Sequence, residues 1–125
     1  MNDLNSILIE GKLVRDVNLK TTASGTAVCT FSMVSTRYYK QDDGLQKEIS
    51  YFDVQAWGKL AETCHQNGTK NRGVRVVGRI KQESWQDKDG NQKDKIVIVA
   101  EHIEWRPVLK SNVKEEEAEL VTSEI

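Results

Sequence analysis

Cysteine, histidine and proline are scarce in this chain: two, two and one among 125 residues. Two cysteines cannot build a disulfide framework. Cys29 falls in a strand-like stretch and Cys64 in a helix-like one, which reads as two buried free thiols in a reducing compartment. His65 and His102 lack ligand spacing to a cysteine or carboxylate, so neither a metal nor any other cofactor is expected. There is no phosphate-binding glycine loop of the P-loop type and no nucleophile elbow, and an enzyme is not expected either. Long apolar runs are also missing. The longest is Ile96–Ala100, against the ~20 residues that a membrane helix needs. Met1–Ser6 is polar and has no hydrophobic stretch of the secretory kind. The expectation is a cytoplasmic protein with no membrane contact.

Charge of one sign is nearly balanced by the other, but not evenly along the chain. Five acids against two bases make residues 110–125 net −3, which leaves +2 for the rest of a chain whose total is −1. From about Leu109 onward there is no Gly, Pro or aromatic residue. This end reads as a disordered or partly helical acidic tail, 109–125, following a single domain over 1–108.

What fills 1–108 is strand periodicity. Ser6–Leu13 is the first strand, with Ile7, Ile9 and Leu13 on one face and Gly11 marking a bend or a close backbone approach. Asp16–Gly25 is a polar connection. Ala27–Tyr39 is a long second strand whose imperfect alternation predicts a bulge or strong coil. Glu48–Trp57 is the third, with Phe52, Val54 and Ala56 opposed to Tyr51, Asp53, Gln55 and Trp57. Gly58–Asn67 is the one helical candidate, with Leu60, Ala61 and Cys64 as its apolar face and Asn67-Gly68 as its stop. Val74–Trp85 is the fourth strand: Val74, Val76, Gly78 and Ile80 face a core, and Arg75, Val77, Arg79, Lys81, Glu83 and Trp85 face away. An Asp89-Gly90 hairpin tip leads into the fifth strand, Asp94–Trp105, which Pro107 ends. Five strands with one short helix between the third and fourth make an all-β protein with the order of an OB-fold, a Greek-key barrel.

Aromatic residues are few, 6% of the chain, yet four of them lie at or near strand ends beside bases. Tyr39, Tyr51, Trp57 and Trp85 have Arg37, Lys40, Lys47, Lys59 and Lys81 as near neighbours. Flat rings stack on any base and lysines meet any phosphate, so the combination describes a surface for unpaired nucleic acid. Arg75, Arg79 and Lys81 share the face that Trp85 ends. Trp105 follows Ile103 and is expected in packing or at a subunit contact. Tyr38 should point away from Tyr39. Lys88, Lys93 and Lys95 read as hairpin solubility.

The chain resembles the bacterial single-stranded DNA-binding proteins over about residues 4–106. The resemblance rests on Asn5–Leu13, Asp16, Gly25-Thr26-Ala27-Val28 leading to Phe31, Ala56–Glu62, Val74–Arg79 and Ser84–Gly90. It implies a homotetramer of OB-folds that coats single-stranded DNA, with little sequence preference, in replication, recombination and repair. It implies stacking by Tyr39, Tyr51, Trp57 and Trp85, and phosphate contacts near Lys20, Lys40, Lys47, Lys59, Lys70 and Lys81. Lys12, Arg37, Arg75 and Arg79 complete the candidate phosphate set. The chain departs from the family pattern in having Phe52 where a histidine is common, and Val17 after Asp16 where Asp-Pro is common. Its acidic tail, the candidate contact for replication and repair proteins, ends Val121–Ile125 without the family's Pro-Phe terminus. The alternatives are an accessory OB-fold protein that acts mainly through protein contacts, and an RNA-binding OB module.

Overall fold

A computed structural model describes residues 1–107. The acidic tail and its expected boundary at residue 108 lie outside the described residues. Six strands and one helix follow in the order β1 (Ile7–Leu13), β2 (Asn18–Thr21), β3 (Ala27–Gln41), β4 (Gly44–Trp57), α1 (Lys59–Asn67), β5 (Gly73–Gln86) and β6 (Gln92–Trp105). They form one sheet in the order β1-β5-β6-β4-β3-β2, and β1 closes it by pairing with β3. The five long strands are those the periodicity predicts, and they make the expected OB-type barrel.

The differences have local causes. β2 occupies part of the connection expected to be irregular. Leu19 is its one apolar side chain, so it carries almost no hydrophobic pattern. Backbone pairing with β3 makes it a strand, from Asn18↔Thr30 to Thr21↔Ala27. Of the bulge or strong coil expected in β3, no bulge is present against β4. β3 pairs with β4 without a break from Val28↔Trp57 to Gln41↔Gly44, and the register shift falls between Val77 and Gly78 of β5. The alternation of β3 is imperfect because its second half leaves the barrel. Cys29, Phe31 and Met33 are buried, whereas the arm that it shares with β4 is mostly exposed.

The core is Leu13, Cys29, Phe31, Met33, Val54, Ala56, Ala61, Cys64, Val74, Val76, Ile98, Ala100 and Ile103. Burying such side chains supplies the main favourable term of folding. Close strand crossing requires two glycines. A Cβ on Gly11 would run into the Val34 carbonyl, and one on Gly78 into the Val99 carbonyl. The close approach expected at Gly11 is therefore what closes β1 onto β3.

Helix α1 plugs the barrel. Ala61 and Cys64 are fully buried and Leu60 packs against them. Gly68 ends the helix, donating its N–H to the Cys64 carbonyl at 2.7 Å. Cys29 and Cys64 are free, buried thiols. They hydrogen-bond one another, and burial pushes both up, Cys64 to about 12. No described helix is long and apolar enough to cross a membrane.

Candidate nucleic-acid interface

Strand register decides which of the predicted residues share a surface. Antiparallel and parallel partners project to the same side of a sheet. Lys12 pairs with Val34, and Val34 with Tyr51. Lys20 pairs with Val28, and Val28 with Trp57. Between these rows runs a third across five strands: Asn18, Thr30, Gln55, Val99 and Arg79. That row ties the outer side of β4, with Tyr51 and Trp57, to the outer side of β5, with Arg79, Lys81 and Trp85. Lys12, Lys20, Arg79, Lys81, Tyr51, Trp57 and Trp85 therefore stand on one continuous outer face.

The rings on that face are available. Tyr51 is 69%, Trp57 42% and Trp85 46% exposed. Tyr51 and Trp57 are exposed because they alternate with Phe52, Val54 and Ala56 and so point away from the core, and Trp85 because it lies on the β5–β6 arm beyond the barrel. Gln55 Nε2 donates to Glu83 Oε1 at 2.5 Å, which joins that arm to β4. Lys95 of β6 does the same through Asp53, Nζ to Oδ2 at 3.1 Å. Ser32 Oγ donates to Asp53 Oδ1 at 2.8 Å. The Ser32 hydroxyl and then Lys95 hold the Asp53 carboxyl below its ordinary value.

The register separates Tyr39 from the other three rings. It lies opposite Gln46, on the side of Phe31 and Met33, with the Arg37 guanidinium 5.2 Å from its ring centre. Tyr38, which does point away from Tyr39, thereby joins the Tyr51 side, 45% exposed and opposite Lys47. Counting parity from Phe31 and Met33 would have found it. Lys40 lies near the tip of the same arm, exposed and opposite Leu45.

Arg75 departs from the expectation of a free phosphate contact. Its guanidinium bonds Glu10 at 2.8 Å and reaches Glu104 at 3.5 Å, and Arg106 also meets Glu10. Lys59 and Lys70 are exposed but off the sheet, at the start of α1 and on the α1–β5 connection. There the Lys70 backbone N–H donates to Asp16 Oδ1 at 2.7 Å. Trp105 packs as expected, against Phe31 at 6.4 Å between centroids and beneath Arg72. Lys95 and Arg15 were missed: they flank a groove on the outer face, and only the fold brings them there. Among the described residues no group of His, Cys, Asp or Glu could hold a metal ion.

This barrel with two basic, aromatic arms has relatives. The model of the single-strand binding protein family matches residues 4–105. The chain belongs to that family. A single-stranded DNA-binding protein of Treponema pallidum is 32% identical over 126 residues, all of this chain and 71% of the relative. That of Aquifex aeolicus is 39% identical across 80% of this chain and 68% of its own length. That of Helicobacter hepaticus is 36% identical across 80% of this chain and 59% of its own length. The chain thus spans 59–71% of these family members. Among solved structures, a Plasmodium falciparum SSB in complex with ssDNA superposes with a TM-score of 0.79 at 17% identity, covering 86% of this chain and 98% of that one. A deletion mutant of the Thermus aquaticus single-stranded DNA binding protein gives 0.74 at 23% identity, covering 83% of this chain and 51% of that one. At these identities the likeness is one of fold.

Proposed function

We propose that this chain binds single-stranded DNA with little overall sequence preference, coating exposed strands in replication, recombination and repair. The observation behind this reading is the row Asn18–Thr30–Gln55–Val99–Arg79, which joins three exposed rings and four bases into one face. The relatives' names point the same way, and the family is one of binding proteins rather than enzymes. Tyr51, Trp57 and Trp85 stack bases, with Tyr38 continuing the path along the β3–β4 arm. Lys12, Lys20, Lys40, Lys47, Arg79 and Lys81 meet phosphates on that face, and Lys59 and Lys70 lie beside it. Tyr39 and Arg37 act on a strand that passes around the arm. For proteins that bind single strands, each stacked base contributes about 1–3 kcal/mol without regard to sequence.

Self-assembly belongs to the same reading. β1 pairs with β5 along Ile7–Lys12 but with β3 only at Lys12 and Leu13. Its other edge at Ile7–Glu10 has no strand partner among the described residues, and Leu8 beside it is 66% exposed. An open edge with an exposed apolar side chain suits two-fold pairing of copies, and pairing of such dimers gives the homotetramer. The protein then works in the cytoplasm, on the nucleoid. Titration with poly-dT tests the reading: saturating poly-dT at low salt quenches the tryptophan emission. Unchanged emission would rule out stacking on Trp57 and Trp85.

A further inference from the structure

Between Tyr51 and Trp57 the outer face is concave. A groove of about 330 Å³ opens there, lined by Arg15 from the β1–β2 connection, Lys95 from β6, and Thr30, Ser32, Asp53 and Gln55 from β3 and β4. Its chemistry differs from that of the surrounding surface. A carboxylate in the middle of a path for DNA repels phosphate, so the backbone must pass to the side and something else must face Asp53. The two rings are six residues apart on one strand, about 20 Å at ~3.3 Å per residue. That is too far for one base to bridge, so a strand stacked on both rings would carry intervening nucleotides over this groove.

We propose that the groove receives the edge of one nucleobase and that Asp53 favours bases carrying an amino group, cytosine above all, over thymine. The inference rests on the single-stranded DNA reading and deepens it. An ionised carboxylate accepts about four hydrogen bonds and donates none. Asp53 Oδ1 is bonded to Ser32 and Oδ2 to Lys95, and its side chain is 49% exposed. Acceptor capacity therefore remains, aimed at the solvent side. Cytosine offers its N4 amino group at that point, where thymine offers the O4 acceptor. The first gives a charge-assisted hydrogen bond and the second sets two acceptors face to face. Arg15 supplies a cation on the rim for a flanking phosphate. Ser32 and Lys95 also fix the carboxylate before DNA arrives, so little side-chain freedom is lost on binding.

The test is a fluorescence titration of the full chain with dC and dT oligomers of equal length, for the wild type, Asp53→Ala and Asp53→Asn. Removing the negative charge tightens binding of both oligomers, so the ratio of the two dissociation constants is the readout. We expect either substitution to move that ratio toward dT by about fivefold or more. Asp53→Asn keeps the shape and an acceptor for Ser32, which covers the event that the alanine variant folds poorly. A ratio equal in all three proteins overturns the proposal and leaves Asp53 as a repelling charge only. If the wild type binds neither oligomer, the parent reading falls and the subsite falls with it.

Discussion

Gln55 of β4 and Glu83 of β5, 28 positions apart in sequence, share a hydrogen bond of 2.5 Å on the outer face. It links the strand that bears Trp57 to the arm that bears Trp85. Without it and the Lys95–Asp53 pair, the β5–β6 arm is held chiefly by its own hairpin bonds. A side-chain hydrogen bond contributes a net ~0.5–1.5 kcal/mol. Gln55→Ala is therefore expected to lower the melting temperature by a few degrees. It should also weaken dT binding although the glutamine carries no charge. Thermal unfolding and a dT titration on the same variant check both.

Stacking and packing aromatics separate by substitution. Trp57→Ala and Trp85→Ala are each expected to weaken dT binding by about 1–3 kcal/mol with little loss of stability. Trp105→Ala should do the reverse, because its ring packs against the core beside Phe31. Calorimetric melting beside a binding isotherm distinguishes the two behaviours.

Tyr38 and Tyr39 offer a test by length. Tyr38 shares a face with Tyr51, and Tyr39 lies on the other side of the arm. A dT oligomer of about 8 nucleotides, within the ~4–16 that one OB-fold covers, is expected to lose affinity with Tyr38→Ala but not with Tyr39→Ala. Only a longer oligomer that turns around the arm should register both. Equal losses with the short oligomer would mean that the arm rotates on binding.

Salt dependence sorts the cations. Each phosphate contact adds ~0.7 to the slope of log affinity against log salt for a single strand. Arg79→Ala and Lys81→Ala should each reduce the slope by about that amount. Arg75→Ala should leave it nearly unchanged, since Glu10 and Glu104 already hold that guanidinium. Exposed pairs of this kind contribute at most ~1 kcal/mol, so its effect on stability is small too.

pH acts at both ends of the range. Asp53 is held below its ordinary value of 3.8 in the folded chain. Its contribution to stability is present above that value and is lost as pH falls through the lowered one. Cys64 moves from an ordinary 9.0 to about 12. Its neutral buried form favours the fold below pH 9, and that advantage fades as pH rises toward 12. Denaturant midpoints measured from pH 8 to 11 should fall, and less steeply in Cys64→Ala. Thiol reagents at pH 8 should label neither Cys29 nor Cys64 until the chain unfolds.

Much of this was legible in the residues. The apolar faces of β1, β4 and the first half of β5, the helix and its glycine stop, and the close approach at Gly11 all follow from alternation and from the sterics of a missing Cβ; Ile80, expected to face the core with Val74, Val76 and Gly78, is 42% exposed because β5 has by then left the barrel for its arm. β2 was not legible, because four residues with a single leucine have no pattern of their own and become a strand only by pairing with β3. The grouping of the rings was legible for Tyr51, Trp57 and Trp85 but not for Tyr38 and Tyr39. One position in a strand reverses a side chain, and the sides are settled only by counting from the buried Phe31 and Met33 through an unbroken register.

The sequence alone determined the run of five long strands with one helix and the inward sides of β1, β4 and the first half of β5, because alternation along one strand is a local property that adjacent residues set. Tertiary structure decided which of those residues meet. Lys12, Lys20, Arg79 and Trp57 come from five different stretches of chain if Lys95 is counted with them, and only the register of neighbouring strands puts them on one face. The same registers engaged Arg75 with two carboxylates and set Asp53 between Ser32 and Lys95. These are relations of distance across strands, which no run of neighbouring residues encodes.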